Sequence, residues 1–145
     1  MAEDTRFIDT SVLLRHLLRD DEGKAERTLA LLLRVERGEV RLATSPLVIF
    51  ETVFTLQRRY GVDRQRIRNL VEPIIQLREL QIPDKRVFYR AFDLYVHHRV
   101  AFADAYNVAT METRGITDIY AWDVHYDRFD GIKMLEPEHL HTQGL

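Results

Sequence analysis

The sequence predicts an α/β fold in which four to five short strands form a central, mainly parallel sheet. Short extended stretches alternate with amphipathic helical runs along the chain, and that alternation implies parallel pairing through right-handed helical crossovers. The helical runs have clear punctuation: Ser45-Pro46 opens one that Gly61 closes, and Gly38 and Gly115 close others. The chain has 145 residues, no internal repeat and no linker rich in Pro, Gly or Ser, so a single domain over residues 1–145 is expected.

Taken in order, Thr5 to Asp9 reads as the first strand. Thr10 and Ser11 then open a helix through Val12, Leu13, Leu14, Leu17 and Leu18, spaced for one helical face. A second helix runs from Glu22 to Glu36 and stops at Gly38. Val40 to Ala43 is a second strand, followed by a helix from Pro46 to Tyr60. Asp63 caps a fourth helix carrying Ile67, Leu70, Val71, Ile74, Ile75 and Leu77, which Pro73 is expected to kink or split. Leu80 to Pro83 is a third strand, Asp84 to His98 and Phe102 to Arg114 are helices, Thr117 to Trp122 is a fourth strand, and Lys133 to Leu135 a short fifth.

Hydrophobic residues make up 46% of the chain and charged residues 30%, ordinary for a globular domain. The absence of cysteine excludes disulfides and zinc–thiolate sites. Met1 to Arg6 shows no signal-like apolar run, and no apolar stretch reaches membrane-span length, so a cytoplasmic setting is expected. The net charge of −2 disfavours a polyanionic partner until its distribution is considered. If four acids serve a metal site, the rest of the chain is net positive. Its cations are almost all Arg, whose planar fork suits phosphate, and five fall together at Arg58, Arg59, Arg64, Arg66 and Arg68. Taken alone, that cluster is equally the mark of a solvated helical face.

Ligands of such sheets bind at the carboxyl ends of the strands, which directs attention to the acids there. Asp9 ends the first strand and is placed to cap the next helix. Glu51 is the only charged side chain between Pro46 and Gln57; a helix so apolar is expected to be buried, and a buried carboxylate needs a cation or an Arg. Asp104 lies in the first turn of its helix, where the dipole favours an acid. Asp123 directly follows the fourth strand, with Asp127 four residues on as a further ligand. Each acid alone has a structural explanation as a cap, a turn or an ion pair. Together they describe an oxygen-rich cluster that needs a hard cation, Mg²⁺ or Mn²⁺, and such a site hydrolyses phosphodiesters. The six histidines show no ligand spacing and read as structural or solvent-exposed; Trp122 and Phe102 read as core packing.

Phe7-Ile8-Asp9-Thr10-Ser11-Val12-Leu13 resembles the opening of PIN-domain nucleases. So do Ser45-Pro46-Leu47-Val48-Ile49-Phe50-Glu51, Phe102-Ala103-Asp104-Ala105, Trp122-Asp123 with Asp127 and Phe129, and the closing Gly131 to Pro137. The resemblance spans about residues 5–137, and the size is similar to that of the VapC-type toxins of toxin–antitoxin pairs. It implies a PIN-like three-layer α/β/α sandwich and Mg²⁺- or Mn²⁺-dependent cleavage of RNA. Asp9, Glu51, Asp104 and Asp123 would hold the metal, with Asp127 assisting, and Thr10 and Ser11 would position metal or phosphate. It also implies a homodimer, whose surface is expected among exposed apolar residues on the helices after the second and third strands, and a small antitoxin that blocks the site. Family members commonly carry Thr or Ser two residues before the last strand's Asp, where this chain has Ala121.

A haloacid-dehalogenase-type phosphatase would need a second Asp two residues after Asp9, where Ser11 stands. The stronger rival is a catalytically weak PIN-like module that binds RNA or protein, toward which Ala121 and the acidic net charge lean.

Overall fold

The computed structural model describes residues 4–138. His139 and His141 therefore lie outside the described residues. Strand β1 (Thr5–Phe7) leads into helices α1 (Thr10–Leu18) and α2 (Glu22–Glu36), then strand β2 (Arg41–Ala43). Helices α3 (Pro46–Arg58) and α4 (Arg64–Ile75) connect to strand β3 (Leu80–Gln81), and α5 (Lys85–His97) and α6 (Phe102–Arg114) to strand β4 (Asp118–Tyr120). A 3-10 helix at Val124–Arg128 precedes strand β5 (Lys133–Leu135).

All strand pairs are parallel, as the alternation of strands and helices requires. Among the described residues they form two ladders, β1-β2-β3 and β4-β5. Strands of two or three residues leave little backbone with which to bridge the two, and all three β1 residues are exposed. Ile82 and Pro83 fall outside β3; Pro83 has no N–H to give a ladder.

Helix α4 passes through Pro73 without splitting. Pro73 sits in the last turn, two residues before the helix ends at Ile75, so the missing donor and the ring clash affect only that turn. Two apolar clusters hold the elements together. The smaller unites Ile8, Leu13, Val35, Leu42, Val48 and Leu80, packing α1 and α2 on β2 and β3. The larger is aromatic and fully buries Phe88, Phe92 and Tyr95 of α5. Phe102 packs on Phe92 (4.8 Å between ring centres), Tyr95 (5.4 Å) and Phe50 (5.5 Å), which fixes the start of α6. Tyr126 and Phe129 enter the same cluster and fix the 3-10 helix.

Candidate active site

The loop after β1 is pinned at the carboxyl edge of the sheet. The Ile8 N–H donates to the Ala43 carbonyl (2.9 Å), and the buried Thr44 hydroxyl donates to the Ile8 carbonyl (2.9 Å). Asp9 then caps α1: its Oδ2 accepts from the Ser11 N–H (3.1 Å) and the Ser11 hydroxyl (2.7 Å). Those two donors hold its carboxyl below the usual Asp range. The Thr10 hydroxyl points inward and donates to the Val48 carbonyl (3.3 Å), tying α1 to the first turn of α3. The proton of Thr10 is thus spent on the fold, and the Val12 N–H closes on the Asp9 carbonyl (3.1 Å), so the first turn of α1 is already capped. We expect Asp9→Ala to lower the thermal unfolding midpoint by a few degrees, while Asp9→Asn, which keeps an acceptor for Ser11, stays near wild type in a melting experiment. Because the folded-state pKa is depressed, this stabilisation is complete above the ordinary Asp pKa and fades as pH falls through the lowered one.

Glu51 departs from expectation. It is exposed rather than buried, and has no ion-pair partner among the described residues. The reason lies in the helical period. Leu47, Glu51 and Phe54 share one face of α3, and Leu47 (72% exposed) and Phe54 (64%) lie open to solvent with it. The opposite face, Val48, Ile49, Thr52, Val53 and Leu56, is the buried one. The apolar run therefore supplies both a core face and an uncovered apolar stripe.

Asp104 is the most enclosed of the four acids, because Phe102 and the fully buried Ala105 draw the first turn of α6 into the core. Its Oδ1 accepts from the Tyr126 hydroxyl (3.2 Å), which in turn accepts from the Asn107 side-chain amide (2.9 Å). Burial, with Asp104 alongside, raises the Tyr126 phenol above its ordinary pKa and keeps it a donor. Asp123 caps the 3-10 helix, accepting from the His125 N–H (2.9 Å). His125 Nδ1 lies 3.0 Å from Asp123 Oδ1 and 3.9 Å from Asp104 Oδ2. One ligand atom from each of Asp104, Asp123 and His125 falls within 4.8 Å of the others.

The structure thus brings two of the four expected acids together and adds an imidazole that the histidine reading missed. Among the described residues, Asp9, Glu51 and the exposed Asp127 do not join that group. The i, i+2 step from Asp123 to His125 is the only local signal of the imidazole, and it gains meaning only when packing places Asp104 opposite. Phe102 is core, as read, whereas Trp122, two residues beyond the end of β4, is 72% exposed. Ala121 donates its backbone N–H to the Leu135 carbonyl (3.2 Å) and offers no hydroxyl.

The arginine cluster divides by role. Arg68 pairs with Glu72 and Asp93, and Arg64 donates to the Tyr95 and Val100 carbonyls while lying over the Tyr95 ring (4.4 Å). Arg58, Arg59 and Arg66 make no ion pair among the described residues.

The family model of the PIN domain matches residues 6–132. Among solved structures, the crystal structure of Mycobacterium tuberculosis VapC20, a sarcin-ricin loop cleaving toxin, is 24% identical; the alignment covers 82% of this chain and 90% of that one, with a TM-score of 0.38. That structural likeness is too distant to bear on activity. No curated protein gave a match.

Proposed function

Since the chain belongs to the PIN domain family, we propose that it is a metal-dependent endoribonuclease and the toxin component of a type II toxin–antitoxin pair. The single observation that carries the reading is the convergence of Asp104, Asp123 and His125. Two carboxylates and an imidazole at this spacing suit a divalent cation. The imidazole tilts the donor set from Mg²⁺ toward Mn²⁺, since Mg²⁺ favours oxygen alone. A cation held there would supply Lewis-acid polarisation of a phosphodiester and hydroxide near neutral pH.

The side chains have separable tasks. Asp104, oriented by Tyr126, and Asp123, oriented by its own cap, would hold the cation with His125. Asp9, fixed by Ser11, together with Glu51 and Asp127, would complete the acidic wall once RNA is bound. Thr10 and Ser11, committed to Val48 and Asp9, would position Asp9 and the start of α1 for the metal rather than meet a phosphate themselves. Tyr126 gives the site a hydroxyl donor that position 121 lacks. We expect Tyr126→Phe to raise the Mn²⁺ concentration for half-maximal cleavage by about 10- to 100-fold without loss of fold, the usual effect of removing a donor to a metal ligand.

A homodimer, a small antitoxin and a cytoplasmic setting belong to the same reading; no helix among the described residues is long and apolar enough to cross a membrane. Ala121, which offers no hydroxyl beside Asp123, favours a second reading: a PIN-like binding module with little catalysis. The two are separated by incubating total RNA with purified, partner-free chain in Mn²⁺, Mg²⁺ or EDTA. Metal-dependent cleavage is expected. Intact RNA under both metals, with RNA still bound, is the outcome for the module.

A further inference from the structure

A groove of about 480 Å³ opens between α3 and the segment entering α6. Its wall includes His125 and Ala103, so it is continuous with the Asp104–Asp123–His125 cluster. Three arginines line it, Arg58, Arg64 and Arg99, and no acid among the described residues does. Arg64 is committed to the Tyr95 and Val100 carbonyls and shapes the wall. Arg58 and Arg99 are exposed and make no ion pair among the described residues. The Phe54 ring, 64% exposed, stands at the groove with the Arg58 guanidinium 5.9 Å from its centre.

Resting on the nuclease reading above, we propose that this groove seats an unpaired nucleotide of the RNA strand next to the scissile bond, its base on Phe54 and its phosphates on Arg58 and Arg99. An exposed ring beside guanidinium groups that no carboxylate among the described residues neutralises is the chemistry that holds single-stranded RNA: stacking accepts any base, and the cations follow the backbone. The volume lies within the usual range for small-molecule sites, about 300–1,000 Å³. A second copy of the chain suits the groove poorly. A two-fold contact must match the patch to itself, and a patch with arginines and no acid among its described residues offers them no opposite charge there. A paired strand fits poorly as well, because its bases cannot leave the stack to meet Phe54.

The test is fluorescence anisotropy with a labelled single-stranded RNA oligonucleotide of mixed sequence, in EDTA to prevent cleavage, over a range of salt. Wild type binds it more tightly than the matching duplex. Phe54→Leu, at an exposed position that does not threaten the fold, weakens single-strand binding by roughly tenfold. Arg58→Gln and Arg99→Gln each reduce the slope of log affinity against log salt by roughly 0.7. No binding by wild type, or unchanged affinity and slope in all three variants, overturns the proposal. So does a fall in molar mass by light scattering in Phe54→Leu with RNA binding intact, which assigns the face to a second copy. Weakened binding in the variants of a wild type that never cleaves RNA supports the groove and removes only the nuclease reading. Metal-dependent cleavage with unaltered variant binding removes only the groove.

Discussion

Asp104→Asn is expected to reduce RNA cleavage by roughly three orders of magnitude, the several kcal/mol that Lewis-acid catalysis supplies. Of the four acids, Asp104 has the least freedom to be replaced by a neighbour. Its helix start is anchored by the Phe102 packing, and its Oδ1 is fixed by Tyr126. Its Oδ2 is the atom that faces His125. An amide keeps the shape and can still accept from Tyr126, but it removes the negative charge that a cation requires. Thermal unfolding of the variant should therefore match wild type while cleavage is lost. Retained cleavage would separate the reaction from this cluster. Asp123→Asn should act in the same direction and more weakly, because Asp123 is more exposed.

Phe92→Ala is expected to destabilise the chain by about 3–5 kcal/mol, read from the urea midpoint at unchanged slope. Phe92 is fully buried and its ring packs on Phe102 and Tyr95. Truncation opens a void that these aromatic neighbours can fill only by leaving their rotamers. Domains of this kind have about 5–15 kcal/mol in total, so the loss is a large share of the whole. It also reaches the site, since Phe102 sets the position of Asp104. A change under ~1 kcal/mol would mean that α5 and α6 do not meet through this cluster.

The helices were legible because their ends are chemically marked. Asp9, Asp21, Ser45 and Asp63 all cap helices through their side chains, and Gly115 closes α6 in the left-handed conformation at φ 68°. The strands were legible as elements but not as a continuous ladder, which depends on how two short groups of strands approach. Glu51 was misread for a physical reason. An apolar run of one helix does not say how many of its faces are covered, and Leu47 and Phe54 remain uncovered beside it. His125 was illegible because its partner Asp104 is distant in sequence, and the contact depends on the buried anchors Tyr126 and Phe129. The arginine run concealed two structural members, Arg64 and Arg68, whose bonds are tertiary.

Everything proposed for the reaction requires that Asp104, Asp123 and His125 hold a divalent cation. The most direct measurement is an NMR titration of the partner-free chain with substoichiometric Mn²⁺, wild type beside Asp104→Asn. Paramagnetic broadening centred on residues 103–107 and 122–127, and absent in the variant, is the expected result. Broadening centred elsewhere, or identical in the two proteins, would contradict the site.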